Sequence, residues 1–217
     1  MPIKFIATCL TTLQVQTCSS LGIGASLSLN TSHSVSEGIK PSHADTGPDN
    51  DGVYDDTNNP QPYATAYGQI TPGCITDFSI HCFNSATLKT LKNLGVKRAT
   101  LHPELNLAQI RDIEKCIDTE AVIYGKIPIM RIGNPQLKGN LVDRTGTIFF
   151  AHCDKLYNSV PIYMADKLKE VEKAGITHGR LIFTTEDADE VRTIIKSYMY
   201  RKPLKINFTR GKFYSKV

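Results

Sequence analysis

Two ionisable side chains stand directly after a strand-like run of the sequence. His102 and Glu104 flank Pro103 and follow the predicted strand 96–101. In parallel α/β folds, binding and catalytic groups come from the loops at the carboxyl ends of the strands. Glu104 has the chemistry of a general acid or base, and His102 can exchange protons near neutral pH. We therefore predict that any catalysis uses this pair. The plainer alternatives are a surface histidine and a glutamate that pairs with an arginine.

A second group of side chains suits substrate binding. The guanidinium forks of Arg131 and Arg210 match a carboxylate or a phosphate, so we expect an anionic substrate. The predicted substrate-binding residues are Asn84, Arg131, Asn158, Glu186 and Arg210. Asn84, Ser159 and Thr185 also have a purely structural interpretation, because their residue types favour helix N-caps.

The sequence motifs give little support for a cysteine nucleophile or for a known peptidase mechanism. Cys153 follows His152, but neighbours on a strand point to opposite faces, so the two do not form a nucleophile and its base. The six cysteines include no C-x-x-C pair, and Cys82 and Cys116 fit small apolar positions. HExxH and GxSxG are absent from the sequence. Since no disulfide framework is indicated, we expect a reducing, cytoplasmic environment.

After residue 73 the sequence predicts alternating strands and helices, and these elements would position the candidate catalytic and binding residues. The patterns predict helices at 84–94, 106–117, 161–174 and 187–200, and strands at 77–83, 96–101, 121–132, 180–183 and 206–209. Expected N-caps are Asn84 with Ser85, Asn106 with Gln109, and Thr185. We also expect an inserted hairpin around Gly146, with strands at 141–143 and 147–151, between the strand 121–132 and the helix 161–174. The result is an α/β fold of about four βα units, half of an eight-unit barrel. Its unpaired parallel edge would call for a partner chain.

The first third of the chain differs in composition. Residues 30–73 are dense in Asn, Asp, Ser, Thr, Gly and Pro and poor in large aliphatic residues, which is typical of loops and disorder. We therefore expect a low-order, irregular leader at 1–73 and a half-barrel domain at 74–217. A formal charge of +4 permits an anionic partner without predicting one. The sequence has no run of eighteen apolar residues, so no membrane span is expected.

Six ordered motifs point to one family. The run TDFSIHCFNSATLKTLKNLGVKRATLHPELNL at 76–107 resembles the pattern DFxLNxFNSxTLxxLxxLGxxRxTLSPELNL of the collagenase-like peptidases, family 32 of the unclassified peptidases. Further segments are similar to the family's L-x-DRxGxxF, Cys, YNSxPLYxxDKL, RLxFTxE and TRGxYxxxV motifs. They are LVDRTGTIFF at 141–150, Cys153, LYNSVPIYMADKL at 156–168, RLIFTTED at 180–187 and TRGKFYSKV at 209–217. His102 stands where the family usually has Ser.

The resemblance implies a TIM-like barrel and either proteolysis or oxygen-independent hydroxylation of RNA or quinones at an iron–sulfur cluster. Relatives hold that cluster on four cysteines. In this chain Asn134 stands at the first cysteine position, the C-x-x-C is missing, and Cys153 is the one remaining ligand. Because such clusters need four thiolates, we expect no cofactor unless a partner chain supplies the other cysteines.

These observations predict a truncated, degenerate member of the family that binds an anionic substrate at the barrel rim. The alternative is an active enzyme, either a peptidase or an iron–sulfur-dependent RNA hydroxylase that a partner chain completes. RNA and peptides are the expected substrates. A DNA partner is not expected.

Overall fold

The protein is described by a computed structural model that covers residues 3–9, 28–31, 63–64, 70–132, 139–152 and 155–216. It has a mixed α/β fold with two sheets. The α-helices are α1 (Ser85–Asn93), α2 (Leu107–Asp112), α3 (Leu168–Lys173) and α4 (Ala188–Met199). In chain order the strands are β1 (Lys4–Cys9), β2 (Ser28–Thr31), β3 (Tyr63–Ala64), β4 (Ile75–Thr76), β5 (Arg98–Thr100), β6 (Asp118–Gly125), β7 (Pro128–Arg131), β8 (Gly139–Val142), β9 (Ile148–His152), β10 (Lys155–Tyr157), β11 (Ile162–Tyr163) and β12 (His178–Phe183).

The larger sheet is mostly parallel and curls into a partial barrel. Its strand order is β2-β1-β12-β6-β5-β4-β3, and β11 adds antiparallel to β6. β1 pairs with β12 in parallel from Lys4–His178 to Cys9–Phe183, so the first strand lies against the last strand of this sheet. The α/β class is confirmed, and the curled sheet agrees with the partial barrel expected from the sequence.

The inserted hairpin is also confirmed, as part of a larger antiparallel sheet with the order β7-β10-β9-β8. β8 and β9 pair from Gly139–Ala151 to Val142–Ile148. Gly146 in the turn has a φ of 84°, a conformation that glycine adopts without steric cost. Asp143 orders the turn, since its carboxylate accepts hydrogen bonds from the backbone of Thr145 and Thr147.

Local capping explains where three of the four described helices begin. Asn84 accepts from the Thr87 N–H at the start of α1, and Asn106 and Gln109 form the predicted capping box of α2. The predicted Thr185 cap of α4 is wrong. Asp187 caps that helix in a box with Glu190, because its carboxylate satisfies two free N–H groups at once.

Helices α1 and α2 also differ from their predicted extents. Leu94 is 47% exposed although Leu88 and Leu91 beside it are buried, so the leucine face of α1 ends at Leu91. Helix α2 stops at Asp112, five residues before the predicted end at Ile117. The Lys115 ammonium donates to the carbonyls of Ile110 and Ile113, which satisfies backbone acceptors left free at the end of this helix.

Three predicted elements have a different structure. The expected strand 77–83 is a single 3-10 turn, Phe78–Ile80, whose cap Asp77 accepts from the Ser79 N–H. The first residues of the expected helix 161–174 form β11, because Tyr163 pairs with Tyr124 of β6. In the expected last strand, Thr209 makes one isolated bridge to Ile162.

The predicted strand 121–132 is two strands, β6 and β7. A Cβ atom at Gly125, the last residue of β6, would lie 2.2 Å from the Ile182 carbonyl oxygen. Glycine therefore permits the close approach of β6 to β12 at this point, where the chain turns away.

Residues before 70 contribute strands that the sequence did not indicate. β1 lies between β2 and β12, and its Ala7 is fully buried among the helix-facing core residues. Lys4–Cys9 is thus part of the sheet. The expected division near residue 73 stays a prediction, since most of 1–69 lies outside the described residues.

Candidate functional site

The carboxyl ends of β4, β5, β6 and β12 bring polar side chains to one end of the curled sheet. Asp77 follows β4, His102 follows β5, Lys126 follows β6, and Glu186 follows β12. This is the edge at which the sequence predicted the rim, and His102 and Glu104 both lie there, next to β5.

His102 belongs to a cluster of three rings. Its ring centroid lies 5.0 Å from that of His81 and 4.3 Å from that of Phe83. His81 has a left-handed backbone, with a φ of 55°, which is uncommon for a residue other than glycine. Burial lowers the pKa of His102, and the neighbouring His81 lowers it further while Glu104 opposes both effects. The imidazole is therefore neutral at pH 7 and can accept a proton.

Glu104 contacts His102 through its backbone and leaves its carboxylate exposed. Its N–H donates to His102 Nδ1 at 3.3 Å. The carboxylate borders an open pocket of about 320 Å³ at the start of α2. The pocket is lined by Glu104, Asn106, Gln109, Lys212, Ser215 and Lys216. Asn106 holds the end of the chain in place here, donating from its amide to the Ser215 carbonyl at 3.1 Å.

A buried charge network fills the inner face of the curled sheet. The Arg180 guanidinium pairs with Glu120 and donates to Asp77 at 2.6 Å and to the Thr100 hydroxyl at 2.8 Å. Arg98 Nε lies 3.1 Å from the other Glu120 oxygen, without the angle of a hydrogen bond. Arg180 and Glu120 are 2% and 0% exposed. Pairing of this kind makes buried charges tolerable in a fold, and here it also fixes Asp77 at the rim.

The predicted site residue Glu186 is buried in the turn that ends β12. Its carboxylate accepts from the Thr184 and Thr185 N–H groups at 2.6 and 3.0 Å and from the Tyr124 hydroxyl at 2.9 Å. Burial raises the pKa of Tyr124, and the Glu186 charge raises it further. Glu186 thus shapes the end of β12.

The remaining predicted binding residues lie apart from His102 and Glu104 or hold structural contacts. Arg210 makes a two-pronged ion pair with Asp166 at 2.6 and 2.7 Å, and this bond lowers the pKa of Asp166. Arg131 lies at the exposed end of β7, paired with Lys155 of the antiparallel sheet. Asn158 caps its own turn through Ser159, and Asn84 caps α1.

Cysteine positions give no metal site in the described residues. Cys74 and Cys82 are buried, Cys116 is half-buried, and burial raises the pKa of Cys82 to about 11. No group of three metal-ligating side chains occurs in the parts of the chain that the structure covers. Cys153 and Asn134 lie outside them. The expected loss of the four-thiolate cluster therefore stays a prediction from the sequence.

Sequence reasoning missed Asp77, Arg180, Lys212 and Lys216. Arg180 was placed in a strand, but a lone arginine in that strand gave no indication that three other segments of the chain supply its partners. The two lysines follow the predicted last strand, 206–209, and they reach the pocket because the chain folds back onto Asn106 and Leu107.

Comparison with known families decides the relationship. Residues 76–199 match the sequence model of peptidase family U32. The chain belongs to this family. The match begins beside Asp77 and runs through α4, so the described U32 region includes His102, Glu104 and the Arg180 network but not Lys212 and Lys216. No curated protein and no solved structure matches the chain. In the described part of this U32 protein no helix is long and apolar enough to cross a membrane.

Proposed function

We propose that this U32 protein binds a small anionic substrate at the carboxyl-end rim of a TIM-like partial barrel. The observation that carries the proposal is the open pocket between Glu104 and the two lysines Lys212 and Lys216. Two ammonium groups with a neighbouring hydroxyl and amides are suited to a carboxylate or phosphate. Within the described residues neither lysine has an ion-pair partner, whereas Arg210 is already paired with Asp166.

The charge of the last part of the chain supports an anionic ligand. Residues 191–217 contain no Asp or Glu and eight basic residues, which are Arg192, Lys196, Arg201, Lys202, Lys205, Arg210, Lys212 and Lys216. A surface of one sign raises the local concentration of ligands of the opposite sign. The pocket opens where this basic segment meets the rim.

The TIM-like description rests on strand order. In a closed eight-unit barrel successive strands are neighbours and the first pairs with the last. Here β3, β4, β5, β6 and β12 are successive neighbours, and β1 pairs with β12.

Calorimetric titration with inorganic phosphate and with citrate tests the proposal. We expect Lys212→Ala/Lys216→Ala to weaken binding at least about tenfold, since losing one charged hydrogen bond costs about 1.5–3 kcal/mol. Lys202→Ala/Lys205→Ala is the matched control, because it removes the same charge from exposed positions of the same segment that do not line the pocket. Equal weakening in both variants would indicate a diffuse charge effect, and no binding by the wild type would refute the proposal.

Peptide hydrolysis is the second candidate, favoured by the contact between His102 and Glu104 beside the pocket. A neutral imidazole and a carboxylate next to a bound substrate can transfer protons to and from water. We expect gelatin cleavage that His102→Gln and Glu104→Gln each reduce about 10²-fold or more. Cleavage that persists unchanged in both variants would come from a contaminating protease.

A further inference from the structure

Three aromatic side chains, His81, Phe83 and His102, form a ring cluster next to Glu104. The ring centroid of His102 lies 4.3 Å from that of Phe83 and 5.0 Å from that of His81. The His81 and Phe83 centroids are 6.2 Å apart, and their planes are inclined by only 7°. Rings that lie close to parallel present flat π surfaces, which is the geometry that offset stacking uses.

The backbone holds the ring cluster on the solvent-accessible side of a strand bridge. Cys82 bridges Leu101 in parallel, and the His102 N–H donates to the Cys82 carbonyl at 3.0 Å. Cys82 and Leu101 are 0% and 1% exposed, and residues next to them in a strand present their side chains to the other face. Phe83 is 36% exposed, His81 is exposed and His102 is half-buried. The ring cluster is therefore accessible to a ligand.

Local bonds fix two of the three rings before any ligand arrives. His81 has a left-handed backbone, with a φ of 55° and a ψ of 51°, and its N–H donates to the Phe78 carbonyl. His102 accepts the Glu104 N–H at Nδ1. Residues other than glycine adopt the left-handed conformation at a cost, and such residues are concentrated at functional sites. A single exposed phenylalanine needs no explanation, but three ordered rings in contact indicate a binding surface.

Glu104 connects the ring cluster with the pocket. Its N–H bonds to His102, and its carboxylate borders the pocket together with Lys212 and Lys216. Since consecutive Cα atoms are about 3.8 Å apart, the Cα atoms of His102 and Glu104 lie within about 8 Å of each other. An anion in the pocket is thus separated from the ring cluster by about the length of one amino-acid-sized molecule.

We propose that the anion bound at Lys212 and Lys216 carries an aromatic ring, which stacks on the ring cluster. The inference rests on the proposed anion binding and specifies the ligand as a small aromatic carboxylate. A flat binding surface favours a planar π system over a puckered saturated ring of similar size, because stacking adds to the gain from apolar burial.

Calorimetric titration with N-acetylphenylalanine and N-acetylcyclohexylalanine tests the inference. The two probes have the same charge, but the second has a saturated, puckered ring. We expect the wild type to bind N-acetylphenylalanine about two- to tenfold more tightly, which corresponds to the strength of one aromatic pair. Phe83→Leu and His81→Asn should each reduce this preference, since each removes one ring. Asparagine also tolerates the left-handed backbone at position 81.

Tyr200→Leu is the matched control. Tyr200 is a 66% exposed aromatic residue at the end of α4, outside the ring cluster and the pocket. Its replacement should leave the preference for the aromatic probe as in the wild type. Lys212→Ala/Lys216→Ala should weaken the binding of both probes by the same factor, because both carry the same carboxylate.

The outcomes separate this inference from anion binding itself. If the wild type binds both probes equally, or binds phosphate but neither probe, the inference is wrong and anion binding stands. A preference that survives both Phe83→Leu and His81→Asn would also overturn it, because the ring would then bind elsewhere. If phosphate, citrate and both probes all fail to bind, the proposed function fails and the inference fails with it.

Discussion

At the scale of single residues, the Arg180 side chain links several segments of the curled sheet. It contacts Glu120, Asp77 and Thr100, which come from three other segments of the sheet. We expect Arg180→Met to destabilise the protein by about 3–5 kcal/mol, because the Glu120 and Asp77 carboxylates would lose the buried guanidinium that pairs with them. Urea unfolding followed by circular dichroism measures the change.

The matched control for Arg180 is Arg192. Its ion pair with Asp189 has a similar length, 2.6 Å, but the side chains are 40% and 90% exposed. Arg192→Met should therefore cost only about 0.2–1 kcal/mol, because solvent screens an exposed pair. If the two substitutions cost the same, the Arg180 network is not shielded from water, and its description as a buried charge network is wrong.

At the scale of elements, the sequence predicts those features that depend on residues close together in the chain. The caps at Asn84 and Asn106 and the Gly146 hairpin were predicted correctly, because each depends on residues within three or four positions. The predicted strand 77–83 is wrong, because a contact distant in the sequence decides the structure there. Its alternating apolar pattern fits a strand, but Asp77 bonds to Arg180, 103 residues away, and caps a 3-10 turn instead.

Contacts distant in sequence also explain why the motifs predicted only part of the candidate site. His102 and Glu104 could be placed at the rim because they directly follow β5. The pocket beside Glu104 could not be predicted, since Lys212 and Lys216 reach it through a bond between Asn106 and Ser215, 109 residues apart. Arg210 was predicted to bind an anionic substrate, but its guanidinium donates two hydrogen bonds to Asp166, which lies 44 residues earlier.

At the scale of the whole molecule, β1 determines how the curled sheet is completed. Without it, β12 would present an unpaired parallel edge, which invites association with other chains. The sequence pointed to a partner chain for this reason. In the structure Lys4–Cys9 covers the β12 edge, and the open edges of the described sheet are β2 and β3. Residues near the start of the chain thus have a role that their composition did not indicate.

Substitution within β1 tests whether this segment belongs to the folded core. Ala7 is fully buried on the helix-facing side, opposite Leu181. Ala7→Asp would bury an unpaired carboxylate there, so we expect a loss of more than about 4 kcal/mol and an unfolded or aggregated chain. Lys4→Gln on the same strand is the control. Lys4 is exposed, so its replacement should stay within about 0.5 kcal/mol of the wild type in urea unfolding. A low-order leader would tolerate both changes equally. If Ala7→Asp unfolds at the wild-type urea concentration, β1 is not part of the sheet, and the β12 edge must be covered by another chain.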